Sequence, residues 1–306
     1  MTIFSTSTSA FYERSRQDMA VLRKRAEATQ EQLSRGERLS RSSQDPVAAS
    51  RLRTLGRAER LTTIDMGNAN RASSDLTLAD AALSSFSDFI IRARELAVQA
   101  GSDTMSDAQR AGIGEELRQI HQNLVGLANA RDSAGHALFG GIVSGDAYEF
   151  DGAGNAVYIG TASAGELSLG EGQSIVRGVT GPEFVEFDDA GTPTNIMAVV
   201  KTLADALGGG SPDPAQSARD ALGSLTNALD SVTTTQTVVG SRLAWIDLTV
   251  ERQTDLGELR KTEEAEIGGT DIAGTVVQLQ EIMLVLEASQ ASFSRLSGMS
   301  LFNSLR

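Results

Sequence analysis

The residues in this chain that could do chemistry are few and scattered. His121 falls between Ile120 and Gln122 in a helical pattern and reads as a surface or boundary residue. His136 lies in a glycine-flanked turn. Neither has a second histidine or a carboxylate pair at metal-ligand spacing, so no metal site is expected. Cysteine is absent, which excludes disulfides, zinc thiolates and cysteine nucleophiles. Asp188-Asp189 and Glu263-Glu264 are adjacent carboxylates, and neighbours in sequence point apart on a helix rather than working as a pair. "GAGNAV" and "GEGQSI" each lack the third glycine of a dinucleotide fingerprint and read as turns, and no Gly-Lys-Ser/Thr phosphate loop occurs. Serines without a plausible histidine partner do not make an acyl-transfer site. The sequence therefore offers no catalytic, cofactor-binding or metal-ligating residue. It predicts a protein that is not an enzyme and needs no cofactor.

What it offers instead is a set of long elements. Residues 9–35 predict a helix in which Tyr12, Ser15, Met19, Leu22, Ala26, Thr29 and Leu33 keep alternating 3-4 spacing, a seam on one face. Three of the seven are small or polar, so this helix is marginal alone. Gly36 suits its C-cap. "LSRSSQDPVAASRL" (39–52) then breaks the chain. Ser42, Ser43 or Asp45 can cap a new helix, and Pro46 fits its first turn, where no N–H is needed. A pattern without proline runs on to Ala100, with Leu76, Ala79, Leu83, Phe86, Ile90, Ala93 and Ala97 in register. At ~1.5 Å per residue this predicts a helix of roughly 80 Å.

Ser106 and Gln109 have capping-box spacing, and Ile113, Leu117, Ile120, Leu124 and Leu127 predict a helix folding back on its predecessor. Between about 140 and 192 glycines are frequent, and the short runs "AYEF", "AVYIG", "ELSL", "SIVRGV" and "EFVEF" predict strands, with "DGAGN" (151–155) as a hairpin turn. A short helix capped by Asn195, a "GGGSPDPA" loop, a long helix from about 215 to 265 and a last helix from 271 to about 297 complete the pattern. In the last helix Thr275, Leu279, Ile282, Leu286, Ser289, Phe293 and Leu296 keep 3-4 spacing, and Met283 and Val285 widen its stripe. Prolines 46, 182, 193, 212 and 214 all fall at joints, as the ~3 kcal/mol cost of an interior helix proline requires.

The expected fold is mainly α: a long antiparallel helical rod built from both chain ends, with a small β-rich insertion in the middle. The expected domains are 1–40 with 271–306 as paired terminal helices, 41–139 with 193–270 as the rod, and 140–192 as an outer insertion. Only 5% of residues are aromatic, so burial must come from Leu, Ile, Val and Ala, the residues of side-by-side helices. The net charge of −13 is uneven: residues 1–60 hold 12 basic and 7 acidic side chains, and residues 132–271 hold 7 and 22. No uninterrupted run approaches the ~20 apolar residues of a membrane span, so no membrane partner is expected. The N-terminus lacks an apolar h-region and does not read as a Sec signal peptide.

The two ends of the chain are alike, each an amphipathic helix set off by a polar break, able to pair with each other or with copies from neighbouring molecules. The candidate interface residues are Tyr12, Met19, Leu22, Leu33, Leu279, Ile282, Leu286, Phe293, Leu296, Leu301 and Phe302. The candidate joint residues are Ser42, Ser43, Asp45 and Pro46.

Four stretches resemble the flagellin superfamily, and within it the hook–filament junction branch: "LSRGERLSRSSQDPVAAS" (33–50), "LVGLANARDSAGHALFGG" (124–141), "VVGSRLAWID" (238–247) and "SFSRLSGMSLFNSLR" (292–306). The likeness covers about 1–140 and 215–306. "QDPVAAS" and the Leu-Phe-Gly-Gly turn resemble the junction branch more than filament-forming flagellins. This resemblance implies an extracellular structural subunit exported without a cleaved Sec signal. It implies self-assembly into a ring or tube whose inner wall is lined by terminal helices that order on polymerisation. It further implies another hook-associated protein and flagellin on either side, and an export chaperone. The alternatives left open are a flagellin forming the filament itself, a coiled-coil protein binding nucleic acid through Arg14, Arg16, Arg23, Lys24 and Arg25, and a hydrolase built on the β insertion.

Overall fold

The computed structural model describes residues 3–304 apart from Ser40 and Ala190, and side chains from residue 10 to 296 apart from the same two. The chain is mainly α. Seven helices, α1 (Ile3–Arg35), α2 (Pro46–Ala100), α3 (Asp107–Ala128), α4 (Pro182–Val185), α5 (Ile196–Asp205), α6 (Pro214–Gly268) and α7 (Ile272–Ser304), flank a short β-rich segment. Its strands are β1 (Tyr148–Phe150), β2 (Ala156–Tyr158), β3 (Glu166–Gly170), β4 (Gln173–Val176), β5 (Glu186–Asp189) and β6 (Thr192–Asn195). They form three separate antiparallel hairpins, β1-β2, β3-β4 and β5-β6, rather than one sheet.

The chain divides into two compact units, residues 1–60 with 256–306 and residues 61–255, so α2 and α6 each contribute to both. The sequence breaks near 40 and 270 are helix ends, whereas the contacts divide within the long helices.

In the 61–255 unit the 3-4 pattern becomes a dry core. Leu76, Ala79, Leu83, Phe86, Ile90, Ala93 and Ala97 are all within 1% of complete burial, and α3 adds Leu117, Ile120 and Leu124. α6 supplies Ala218, Leu225, Ala228, Val232, Val239 and Ile246. α3 begins as its sequence predicts: Gln109 N–H donates to Ser106 Oγ (3.4 Å), and Ser106 N–H donates to Gln109 Oε1 (2.9 Å), a complete capping box. The α2–α3 corner is locked by Arg110, which is buried and donates to Ala100 O (2.9 Å), the last carbonyl of α2, and to Ser102 O (2.8 Å) in the turn that follows.

The hairpins are fastened to the helices one by one. Asn129, just past α3, accepts from the Ala147 and Tyr148 N–H groups and donates to Tyr148 O (2.9 Å). Phe184 meets Phe86 edge-on at 5.1 Å and Phe139 at 4.7 Å, and all three rings are fully buried. Arg242 of α6 donates to Gly178 O (2.7 Å), Asn68 of α2 to Ser168 O (3.0 Å), and Gln253 of α6 to Leu169 O. "DGAGN" is the β1-β2 turn: Asp151 Oδ1 accepts from Ala153 and Asn155 N–H, and Gly154 takes φ +77°, which suits glycine.

Two sequence readings of this region are corrected. "EFVEF" is not one strand: Pro182–Val185 is a helical turn, because Thr180 and Glu183 hydrogen-bond reciprocally across its start and Pro182 occupies its first position. β6, "TPTN", is a strand the sequence does not predict, because Pro193 argues against one; it pairs with β5 and extends three residues past 192. His121 is also corrected. It is 7% exposed against Phe150, its Nε2 has no hydrogen-bond partner, and burial pushes its pKa below the ordinary histidine range, helped by nearby Lys201. It is a neutral filler of the α3 face.

Candidate assembly interface

In the terminal unit α1 and α7 lie antiparallel. Tyr12 packs edge-on against Phe293 at 5.4 Å, and its hydroxyl donates to Leu296 O (3.2 Å). The spacing that predicts the seams also decides which side faces inward. Tyr12, Ser15, Met19, Leu22, Ala26, Thr29 and Leu33 of α1, and Thr275, Leu279, Ile282, Leu286, Ser289 and Phe293 of α7, are half-buried or buried, as are Gln32 and Val276 beside them. Leu296 is 46% exposed. Leu301 and Phe302 fall in the last turns of α7, and their side chains lie outside those described.

This pairing leaves much apolar surface in water. In the terminal unit only Thr29, Ala48, Ala49 and Leu55 are buried among the described residues, whereas the other unit has a dozen large side chains that are wholly so. On α7, Ile272, Val277, Met283, Leu284 and Val285 are 50–68% exposed, and on α1 Phe11 and Val21 are about half exposed. The α1–α7 cleft holds a groove of about 360 Å³ with Phe11, Met19, Val285, Ala288, Phe293 and Leu296 in its walls. Small Ala288 and Ser292 among the groove's lining residues leave room for the ridge of another helix. The sequence reading picked out Met283 and Val285 but missed Val277 and Leu284. Their signal is present as Val277, Leu284, Ala288 and Ala291 at 7-4-3 spacing, a second stripe on the same helix.

One exclusion drawn from the sequence must be withdrawn. Ile272–Leu296 is long and apolar enough, by length and composition, to cross a membrane, with mean hydropathy 1.3 and none of the most apolar window buried. A search for uninterrupted runs misses it because Glu281 and Glu287 divide the segment.

The joint is a pair of breaks that hold each other. α1 ends at Gly36, φ +69°, whose N–H donates to Gln32 O (2.9 Å). Glu37 then bridges to Gly269, Arg38 N–H donates to Gly268 O (2.7 Å), and Thr270 N–H to Gly36 O (3.0 Å). The Arg38 guanidinium donates to Ile267 O and reaches Asp45 Oδ2 at 3.3 Å. Asp45 caps α2 by accepting from Ala48 N–H (3.0 Å), and that bond, with Arg38, holds its carboxyl below the usual range. Pro46 is the first residue of α2, and Ser42 and Ser43 sit exposed in the turn before it. Arg51 clamps Glu263 across α2 and α6 with two bonds (2.5 and 2.8 Å). The two joints are therefore one cross-linked corner.

Among the described residues no group of three or more His, Cys, Asp or Glu could hold a metal ion.

Comparison with known proteins sets this terminal pair, built from long helices at both chain ends, beside flagellar proteins. Residues 7–144 match the family described as the bacterial flagellin N-terminal helical region. The likeness to flagellar hook-associated protein 3 of Salmonella typhimurium (strain LT2) runs far beyond that region: 27% identity over 287 residues, covering 89% of this chain and 90% of that protein. The flagellar filament 41 kDa core protein of Borreliella burgdorferi is 31% identical, but over 108 residues and 33% of this chain. A solved structure of a flagellar hook-associated protein from Vibrio parahaemolyticus shares the fold, with a TM-score of 0.67, 20% identity, and coverage of 74% of this chain and all of that one.

Proposed function

We propose that this chain is a structural subunit of the bacterial flagellum that joins hook to filament, and that it assembles by covering the open faces of α1 and α7 with the same helices of sister subunits. The observation that carries the reading is the terminal pair itself, half-buried on its seam and apolar on its outer side. Covering Ile272, Val277, Met283, Leu284 and Val285 yields on the order of 5 kcal/mol per subunit, enough to bias ordering toward the assembled state. Lipid is the poorer cover. Glu281 and Glu287 lie near the middle of the apolar segment, and a carboxylate at a bilayer centre costs roughly 2.5–3.5 kcal/mol, whereas a helix bundle can leave both at its polar rim.

The junction role rests on the reach of the likeness: hook-associated protein 3 matches nearly the whole chain, a filament protein only a third of it. In this reading the neighbours are another hook-associated protein on one side and flagellin on the other. The chain leaves the cell through the flagellar export path without a cleaved Sec signal, accompanied by a chaperone, and carries no catalytic activity. Purified, labelled protein added to isolated flagella stripped of filament is expected to settle in one narrow band at the distal edge of the hook. Labelling along the whole length of regrown filaments would assign the chain to the filament instead.

A further inference from the structure

The charge asymmetry of the sequence has a structural counterpart outside the terminal pair. Trp245, the chain's one tryptophan, stands 46% exposed on α6 with Leu248 at 58% beside it. With Thr249, Glu251, Arg252 and Asp255 they wall a shallow groove of about 320 Å³. Asp247, Glu251 and Asp255 flank the two apolar residues, all exposed and without an ion-pair partner among the described residues. The groove's one cation, Arg252, is already neutralised by Glu171 at 3.0 Å and bonded to Gln173 at 3.2 Å. An exposed tryptophan ringed by unpaired carboxylates is a poor surface to leave in water and a good one for guanidinium groups, which pair with the acids and stack on the indole.

The matching surface occurs in the same chain. Arg53, Arg57 and Arg60 lie at 4-3 spacing on one exposed face of α2, and none has an ion-pair partner among the described residues. Trp245, Leu248, Glu251 and Asp255 follow one another at 3-3-4 on α6, so both rows run along a helix with the same period. We infer that the acidic Trp245 ridge of one subunit receives the Arg53–Arg57–Arg60 ridge of a second copy of this chain. Two different patches meeting in this way make a head-to-tail contact, which repeats into a ring or a helix rather than stopping at a dimer. The inference deepens the assembly reading and rests on it.

Trp245 supplies its own test, because it is the one tryptophan of this chain and the emission of bare hooks can be subtracted. Full-length protein assembled on isolated hooks is compared with dilute subunits. The expected result is emission shifted to shorter wavelength and reduced quenching by acrylamide, both reversed as salt is raised. Glu251→Arg with Asp255→Arg is expected to raise the concentration needed for assembly by at least about tenfold, through like-charge contact with the arginine row. Adding Arg57→Glu and Arg60→Glu to the same chain is expected to recover most of that loss, which damage to folding would not allow. Normal assembly with Trp245 unshifted and still quenched, or a fourfold-reversed chain no better than the twofold one, overturns this contact while leaving the assembly reading standing. Failure of the wild-type chain to assemble on hooks at all overturns both.

Discussion

Removing residues 272–306 is expected to abolish incorporation into the flagellum while leaving the 61–255 unit folded. The two effects separate because the buried large side chains lie in that unit and α7 contributes to none of them: Leu76, Leu83, Phe86, Ile90, Leu117 and Leu124 are sealed among α2, α3, α6 and the hairpins. A truncated chain should keep its main thermal transition within a few degrees, yet show no band on hooks at any concentration that suffices for the full chain. Leu286→Asp makes the same point with one residue. It puts a charge on the half-buried α1–α7 seam, so incorporation should fall sharply while far-UV circular dichroism of the monomer changes little. Equal loss of monomer helicity and incorporation would mean that the seam supports the subunit rather than the assembly.

Phe184→Ala tests the opposite end of the argument. Phe184 is fully buried and touches Phe86 of α2 and Phe139, so it is the ring through which the β-rich segment is pinned to the helical core. Its loss deletes both aromatic contacts and leaves a cavity that the surrounding backbone can close only in part. The expected cost is about 3–5 kcal/mol, which for a unit of this size lowers its Tm by roughly 10 °C or more. Incorporation should survive below the lowered transition, since no residue of the terminal pair is touched. A Tm change of one or two degrees would show that the hairpins ride on the helices without helping to hold them.

Much of this architecture is legible in the sequence because long helices announce themselves. The 3-4 spacing around Leu83 and Phe86 predicts both an element and its buried face, and the same rule picks the inward side of α1 from Tyr12 to Leu33. Prolines and the Ser106 capping box mark ends well, since each acts locally. What stays hidden depends on partners far away in the chain. "EFVEF" has strand composition but becomes a helical turn because Thr180 and Glu183 hydrogen-bond across its start, and Phe184 then reaches the core. Nothing in the local pattern marks Arg110, yet it is buried at the α2 carboxyl end, a role set by where that helix stops. His121 reads as a surface residue for the same reason: only the fold brings Phe150 over it.

The interface was legible in part. Residue spacing gives the α1 and α7 seams but not which stripe is used within the subunit and which is left for a neighbour, because α7 is apolar around most of its circumference. The coupling of the two breaks, through Glu37, Arg38 and Gly269, has no signature in either segment alone, since each bond joins residues more than two hundred positions apart.

The central claim is that the outer faces of α1 and α7 stay unsupported until sister subunits cover them. Amide exchange followed by mass spectrometry on dilute monomer and on hook-bound protein measures this directly. The account predicts rapid exchange through α1 and α7 in the monomer against slow exchange in Leu76–Ala97, with strong protection of both terminal helices once bound. Terminal helices as protected in the dilute monomer as the Phe86 core, with no gain on binding, would contradict it.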